Sequence, residues 1–117
     1  MLNKLNRLKR KKDFENVAKN GRQVNRGFLV LKFVPNKENN HRFGFVISKK
    51  VLKRSVDRNK IKRQLRHAVR GAISEKEIGH KKIGHDIVFF ARFGIEKHNF
   101  EELEKAVKSL LNQVNLL

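Results

Sequence analysis

The sequence predicts a small α+β sandwich with elements in the order α-β-β-α-β-α, and three observations carry that prediction. Beyond Arg58, residues Ile61, Leu65, Ala68, Val69 and Ala72 fall on one side at about 100° per residue, the apolar seam of a helix. Residues 28–34 and 86–92 are short, nearly continuous apolar runs of the length that buried strands have. Leu103, Ala106, Val107, Leu110 and Val114 then repeat as the stripe of a closing helix. With 117 residues, 38% of them apolar and nine of them Phe, the chain has material for one domain, 1–117, with a modest core.

Taken in order, residues 1–12 are basic and irregular, with Lys4, Arg7, Lys9, Arg10, Lys11 and Lys12, and a flexible segment is expected there. Asp13 has the chemistry of a helix cap, Phe14, Val17 and Ala18 recur at i, i+3 and i+4, and Asn20-Gly21 ends that first helix. Residues 24–34 read as one strand. Phe28, Val30 and Val34, with Lys32 among them, point one way, and Leu29, Leu31 and Phe33 the other. Both faces are apolar, so a helix or a ligand must cover the second. The polar connector 35–40 suggests a hairpin into a strand over 42–48, with Phe43, Phe45 and Ile47 on one face. A basic connector leads to a helix over about 58–73, with Asp57 suited to its N-terminus. Gly79 to His85 reads as a loop and Asp86 to Arg92 as the third strand. Asn99 and Glu102 have the spacing of a helix-starting pair.

Charge narrows the function. The formal net charge is +18, from 29 Lys and Arg against 11 Asp and Glu. Between Lys49 and Arg70 ten basic residues face a single acid, Asp57, whereas seven of the acids lie from Glu75 onward. Asn59, Lys62, Arg63, Arg66 and Arg70 gather on a helix face beside the apolar seam. So dense a cationic face repels itself, and a polyanion would compensate it. Cysteine is absent, which excludes disulfides, thiolate metal sites and Cys nucleophiles. The N-terminus lacks the apolar run of a signal peptide and no segment has the length of a membrane span, so a soluble cytoplasmic protein is expected.

Catalytic constellations are hard to find. Metal-dependent nucleases need several converging carboxylates, and the basic half offers only Asp13, Glu15, Glu38 and Asp57, none forming a spaced acidic pair. His41, His67, His80, His85 and His98 match no zinc spacing and read as surface or loop histidines. Ser48-Lys49 is no dyad, because neighbouring strand residues point to opposite faces. The basic helix buries too narrow a seam to be a membrane-surface helix. What remains is nucleic acid, gripped by a cationic face and stacked on apolar side chains. Phe14, Leu29, Leu31 and Phe33 are available for stacking, although core is the plainer reading of each.

Four segments now matter together: Arg7-Leu8-Lys9 running into Asp13-Phe14, Asn25-Arg26-Gly27-Phe28, Gly44-Phe45-Val46-Ile47-Ser48-Lys49-Lys50, and Arg58-Asn59-Lys60-Ile61-Lys62-Arg63-Gln64-Leu65-Arg66. In that order they closely resemble the protein subunits of bacterial ribonuclease P, the last matching the family's RNR motif. The resemblance implies the ribosomal protein S5 domain 2-like fold, with a left-handed β-α-β crossover that the general right-handed preference would not have chosen. It implies an RNA-binding subunit of an endonuclease whose RNA performs the chemistry with Mg²⁺, removing the 5′ leader of precursor tRNA. The implied partners are ribonuclease P RNA and precursor tRNA, with the protein a monomer in the holoenzyme. Arg58, Asn59, Lys60, Lys62, Arg63 and Arg66, with Arg70, Lys49 and Lys50, would meet the catalytic RNA. Phe14, Leu29 and Leu31, with Val17 and Phe33, would line a leader cleft between the first helix and the sheet. Relatives often carry a second aromatic where this chain has Ala18, and Tyr near Leu31, so stacking here would be weaker or moved to Phe33. A non-enzymatic ribosomal or RNA-packaging protein is the alternative.

Overall fold

The computed structural model describes residues 6–38, 40–75 and 84–114. Three helices, α1 (Lys11–Asn20), α2 (Ser55–Glu75) and α3 (Phe100–Gln113), enclose four strands, β1 (Arg22–Arg26), β2 (Leu29–Pro35), β3 (Arg42–Val46) and β4 (His85–Ala91). The strands form one sheet in the order β1-β2-β4-β3. β2 pairs antiparallel with both β1 and β4, while β3 lies parallel to β4 and reaches it through α2.

The expected single strand over 24–34 is two. Gly27, at φ +52°, turns the chain between Arg26 and Leu29, so Arg22–Arg26 folds back as an edge strand on β2. An apolar run hid this turn, because Phe28 looks like a strand residue on composition alone. The hairpin expected across 35–40 does not form either. β4 inserts between β2 and β3, so that connector joins strands that are not neighbours. The loop expected over Gly79–His85 lies outside the described residues up to position 83, and β4 already begins at His85.

Most of the core lies on one face. Leu29 and Leu31 of β2, Phe43, Phe45 and Ile47 on and after β3, and Ile87 and Phe89 of β4 pack beneath Ile61, Leu65, Ala68 and Val69 of α2 and Leu103, Val107 and Leu110 of α3. Both helical stripes are therefore where periodicity placed them, with Leu111 added. The opposite face holds a smaller cluster of Val34, Val88, Val17 of α1 and Leu8. Leu8 donates its N–H to the Phe43 carbonyl at 2.8 Å and Arg7 bridges to Phe43, so residues 7–8 run along β3.

Helix ends obey local chemistry. Asn99 accepts from the Glu102 N–H at 2.9 Å and its own N–H donates to Glu102 Oε1 at 3.1 Å, which completes the expected capping box. That backbone bond, and then His98 Nδ1 at 3.1 Å, hold the Glu102 carboxyl below its ordinary pKa. A lowered folded-state pKa gives stability that is present above the ordinary glutamate value and lost as pH falls through the folded one. Asn99→Ala should cost about 1 kcal/mol at neutral pH and keep that gap in acid, because its backbone N–H still meets Glu102, whereas the gap between Glu102→Gln and the parent should narrow in that acid window. Urea melts followed by far-UV circular dichroism test this, since the chain has no Trp or Tyr. Asp13 and Asp57, expected as caps, lie inside the first turns of α1 and α2, and Arg10 precedes α1 without a side-chain cap.

Candidate nucleic-acid interface

The seam that buries Ile61, Leu65, Ala68 and Val69 turns the other side of α2 outward, and with it Asn59, Lys60, Arg63 and Arg70, all exposed. Lys62 and Arg66 are half-buried and line a recess over the β3 edge with Phe43, Gly44 and Phe45. Among the described residues no carboxylate pairs with Lys62, Arg63 or Arg66. Lys49 and Lys50 are exposed in the loop ahead of α2. Arg58 is engaged differently. Its Nη1 donates to the Leu52 carbonyl at 2.9 Å and to the Lys53 carbonyl at 2.7 Å, so its guanidinium ties that loop to the helix as well as adding charge.

The N-terminal segment contributes what sequence reading had not assigned. Arg7 joins Arg63, Arg66 and His67 around a recess of about 370 Å³. Beside it a second recess, of about 270 Å³, runs over the β3 edge between Arg7, Lys9 and Phe14 on one side and Lys62 and Arg66 on the other. The cationic face of α2 is thus continued by residues more than fifty positions earlier. The parallel bridge of Arg7 to Phe43, the Leu8 N–H on the Phe43 carbonyl and Asn6 Nδ2 on the His41 carbonyl at 2.7 Å bring them together, and no periodicity within either segment announces it.

The sheet face beneath α1 differs from the expected cleft by one residue of register. Leu29 and Leu31 are fully buried under α2 and α3, and Phe33 packs half-buried against the same core, so these three do not line it. Strand alternation puts Val30, Lys32 and Val34 on the α1 side instead. Val17 is fully buried there, leaving Phe14, Val46 and Phe90 half-exposed around a small apolar floor. Lys32 spans it, its Nζ 5.5 Å from the Phe90 ring centroid and donating to the Ala18 carbonyl at 3.1 Å. A cation over an aromatic ring stands on this face, beside Phe14.

Phe14 is seated by Gly44. A Cβ at position 44 would fall on Cε1 and Cζ of the Phe14 ring, so the ring reaches β3 only because that side chain is missing. Gly44→Ala should therefore swing the half-exposed ring outward at a cost of about 1 kcal/mol, the low end for overpacking. Adding Phe14→Leu should make the double variant less destabilised than the sum of the two, a coupling that a thermal-melt cycle measures.

Among the described histidines, His41 and His85 are neighbours, with ring centroids 5.4 Å apart. His41, expected at the surface, is buried and accepts the His85 N–H on Nδ1 at 3.0 Å. His98 stacks on Phe28 with ring centroids 4.0 Å apart. Among the described residues no three His, Asp or Glu side chains gather to hold a metal ion, and no helix is long and apolar enough to cross a membrane.

A four-stranded α+β domain whose basic helix carries Lys62, Arg63 and Arg66 without a carboxylate partner among the described residues, continued by a basic N-terminal strap, defines a class: a small basic domain suited to binding a polyanion such as nucleic acid. Comparison with known proteins makes this specific. Residues 2–115 match the model of the Ribonuclease P family, and the chain belongs to that family. It is 39% identical over 116 residues to the ribonuclease P protein component of Syntrophomonas wolfei, covering 99% of this chain and 92% of that one. The RNase P protein of Thermotoga maritima superposes with a TM-score of 0.75 at 28% identity, covering 90% of this chain and 96% of that one. The Staphylococcus aureus RNase P protein has the same fold, with a TM-score of 0.75 at 23% identity, covering 95% and 96%. These relatives support the ribonuclease P reading over a ribosomal or packaging protein.

Proposed function

We propose that this chain is the cytoplasmic, monomeric protein subunit of a holoenzyme in which ribonuclease P RNA performs the hydrolysis, and that it binds both that RNA and the 5′ leader of precursor tRNA. The observation that carries this is the convergence of Arg7 with Lys62, Arg63 and Arg66, three of them without a carboxylate partner among the described residues. Such a surface neutralises phosphates and releases their counterions. Asn59, Lys60 and Arg70 extend the band along α2, and Lys49, Lys50 and Arg58 extend it across the preceding loop. The leader would cross the face between α1 and the sheet, over Phe14, Lys32, Val46 and Phe90. The Mg²⁺ that such hydrolysis uses would be held by RNA phosphates. The carboxylates near this face are already committed, Asp86 to Arg42 and Asn36, and Asp13 lies 3.8 Å from Arg42.

Reconstitution tests the reading. Added to a bacterial ribonuclease P RNA at low Mg²⁺, the protein should accelerate leader removal from precursor tRNA, and alone it should cleave nothing. No stimulation at any protein concentration would sink it.

A further inference from the structure

We propose that Phe93 is a stacking platform for an unpaired base of the RNA partner, with Arg92 on an adjoining phosphate, at a site beyond the Lys49–Lys50 end of the α2 band and off the α1 face of the sheet. The inference rests on the assignment of RNA as the partner. Its starting point is that Phe93, 73% exposed, is the most exposed large apolar side chain among the described residues.

The backbone holds it there. Arg92 to Ile95 form a tight turn in which the Ile95 N–H donates to the Arg92 carbonyl at 3.3 Å. Gly94 has φ 91° and ψ −1°, the third-position geometry of a type II turn, which a side chain would strain. Phe93 occupies the position before it, at the apex. Both flanks of the turn are fixed. The Arg92 N–H donates to the Phe28 carbonyl at 2.9 Å, and Ile95 is fully buried at the head of a single 3-10 turn, Ile95–Lys97. An exposed ring on a mobile loop would lose entropy on stacking. This one is already placed, so little ordering cost remains.

The surroundings favour RNA over a protein partner. β3 and β4 are parallel and last register at Val46 and Phe90, so both leave the sheet at the same end. The loop carrying Lys49 and Lys50 therefore adjoins the turn carrying Arg92, and all three side chains are exposed. Behind the turn, Phe28 stacks on His98, which with Lys60 lines a recess reaching the start of α2. Of the nearby acids, Asp57 lies 3.7 Å from Arg54 and Glu102 lies 3.1 Å from His98, leaving Glu96 against the cations. A rigid exposed ring bordered by cations is how single-stranded nucleic acid is gripped without reading its sequence.

The test uses the protein assembled with ribonuclease P RNA transcribed with scattered 4-thiouridine. Irradiation should give a crosslinked peptide containing Phe93. F93A should melt with the parent but bind the RNA about tenfold more weakly, with an unchanged salt slope, because stacking releases no counterion. R92A should lower that slope by about one. F93A binding within about twofold of the parent, with no crosslink at Phe93, would overturn the inference, and this is the result a protein partner would give. The variant K62A/R63A/R66A keeps the two readings apart. Affinity lost there and kept in F93A overturns Phe93 alone, whereas affinity lost in F93A and kept there supports Phe93 and overturns the α2 interface.

Discussion

Replacing Lys62, Arg63 and Arg66 together with Ala should weaken binding to ribonuclease P RNA on the order of a hundredfold at ~0.15 M salt, and leave the fold intact. Each phosphate contact contributes about 0.9 to the slope of log affinity against log salt, so three contacts remove between two and three units of slope. At that ionic strength, each lost contact is worth roughly a factor of five. Stability should not fall with affinity. Lys62 and Arg66 are like charges one turn apart, a pairing that costs a few tenths of a kcal/mol in a helix, and Ala is the better helix former. Arg63 is exposed and pairs with no carboxylate among the described residues. Isothermal titration or filter binding across a salt series, beside a thermal melt, separates these effects. An unchanged slope would mean that the three side chains are only solvated. A melting temperature that drops with affinity would mean that their packing over the β3 edge matters more than their charges.

The basic face of α2 was legible because one period organises both it and the buried seam. Ile61, Leu65, Ala68 and Val69 must face the core, and that alone decides where Lys62, Arg63 and Arg66 point. The capping box at Asn99 and Glu102 was legible for the same reason, since all its information lies within four residues. What escaped sequence reading is nonlocal. Leu29, Leu31 and Phe33 alternate with Val30 and Val34, so both sets are apolar and alternation cannot say which meets α1. The sheet settles it by pairing Leu31 with Phe89 and Val30 with Phe90 in register, the first pair under α2 and α3. Arg7 joined the interface through a bridge to β3, thirty-six positions later in the chain, which nothing in the basic run from Arg7 to Lys12 indicates. Phe93 escaped for a further reason. Phe93 lies one residue past the strand read over 86–92, and nothing in its neighbours' residue types shows that the turn at the left-handed Gly94 leaves the ring outside.

Asp86→Ala should destabilise the protein by roughly 3 kcal/mol, the largest single-site loss of stability expected outside the hydrophobic core. Arg42 Nε and Nη2 donate to the two Asp86 oxygens, each at 2.8 Å, and Asn36 Nδ2 donates to Oδ1 at 2.8 Å. That carboxylate, foremost through the side-chain hydrogen bond, raises the Arg42 pKa above the ordinary arginine value, with burial opposing it. The Asp86 side chain is 5% exposed and that of Arg42 24%, so truncation leaves a largely desolvated guanidinium with Asp13 3.8 Å away as its nearest acid. Breaking a fully buried pair costs about 3–5 kcal/mol, and the residual water contact of Arg42 places this case at the lower end. At about 4 °C per kcal/mol for a chain of this length, the melting temperature should fall by roughly 12 °C. Asp13→Ala, which removes only the longer contact, should cost less than about 1 kcal/mol. The double variant Arg42→Met with Asp86→Ala should recover most of the loss, because the penalty comes from the stranded charge rather than from the missing attraction. These groups join β3, β4 and α1 on the α1 face of the sheet, whereas Lys62, Arg63 and Arg66 stand on α2. D86A that still folds should therefore hold ribonuclease P RNA with its parent's salt slope while discriminating less between precursor and mature tRNA. A D86A melt within about 1 kcal/mol of the parent would show that Arg42 finds water, and that the pair does not hold α1 in place.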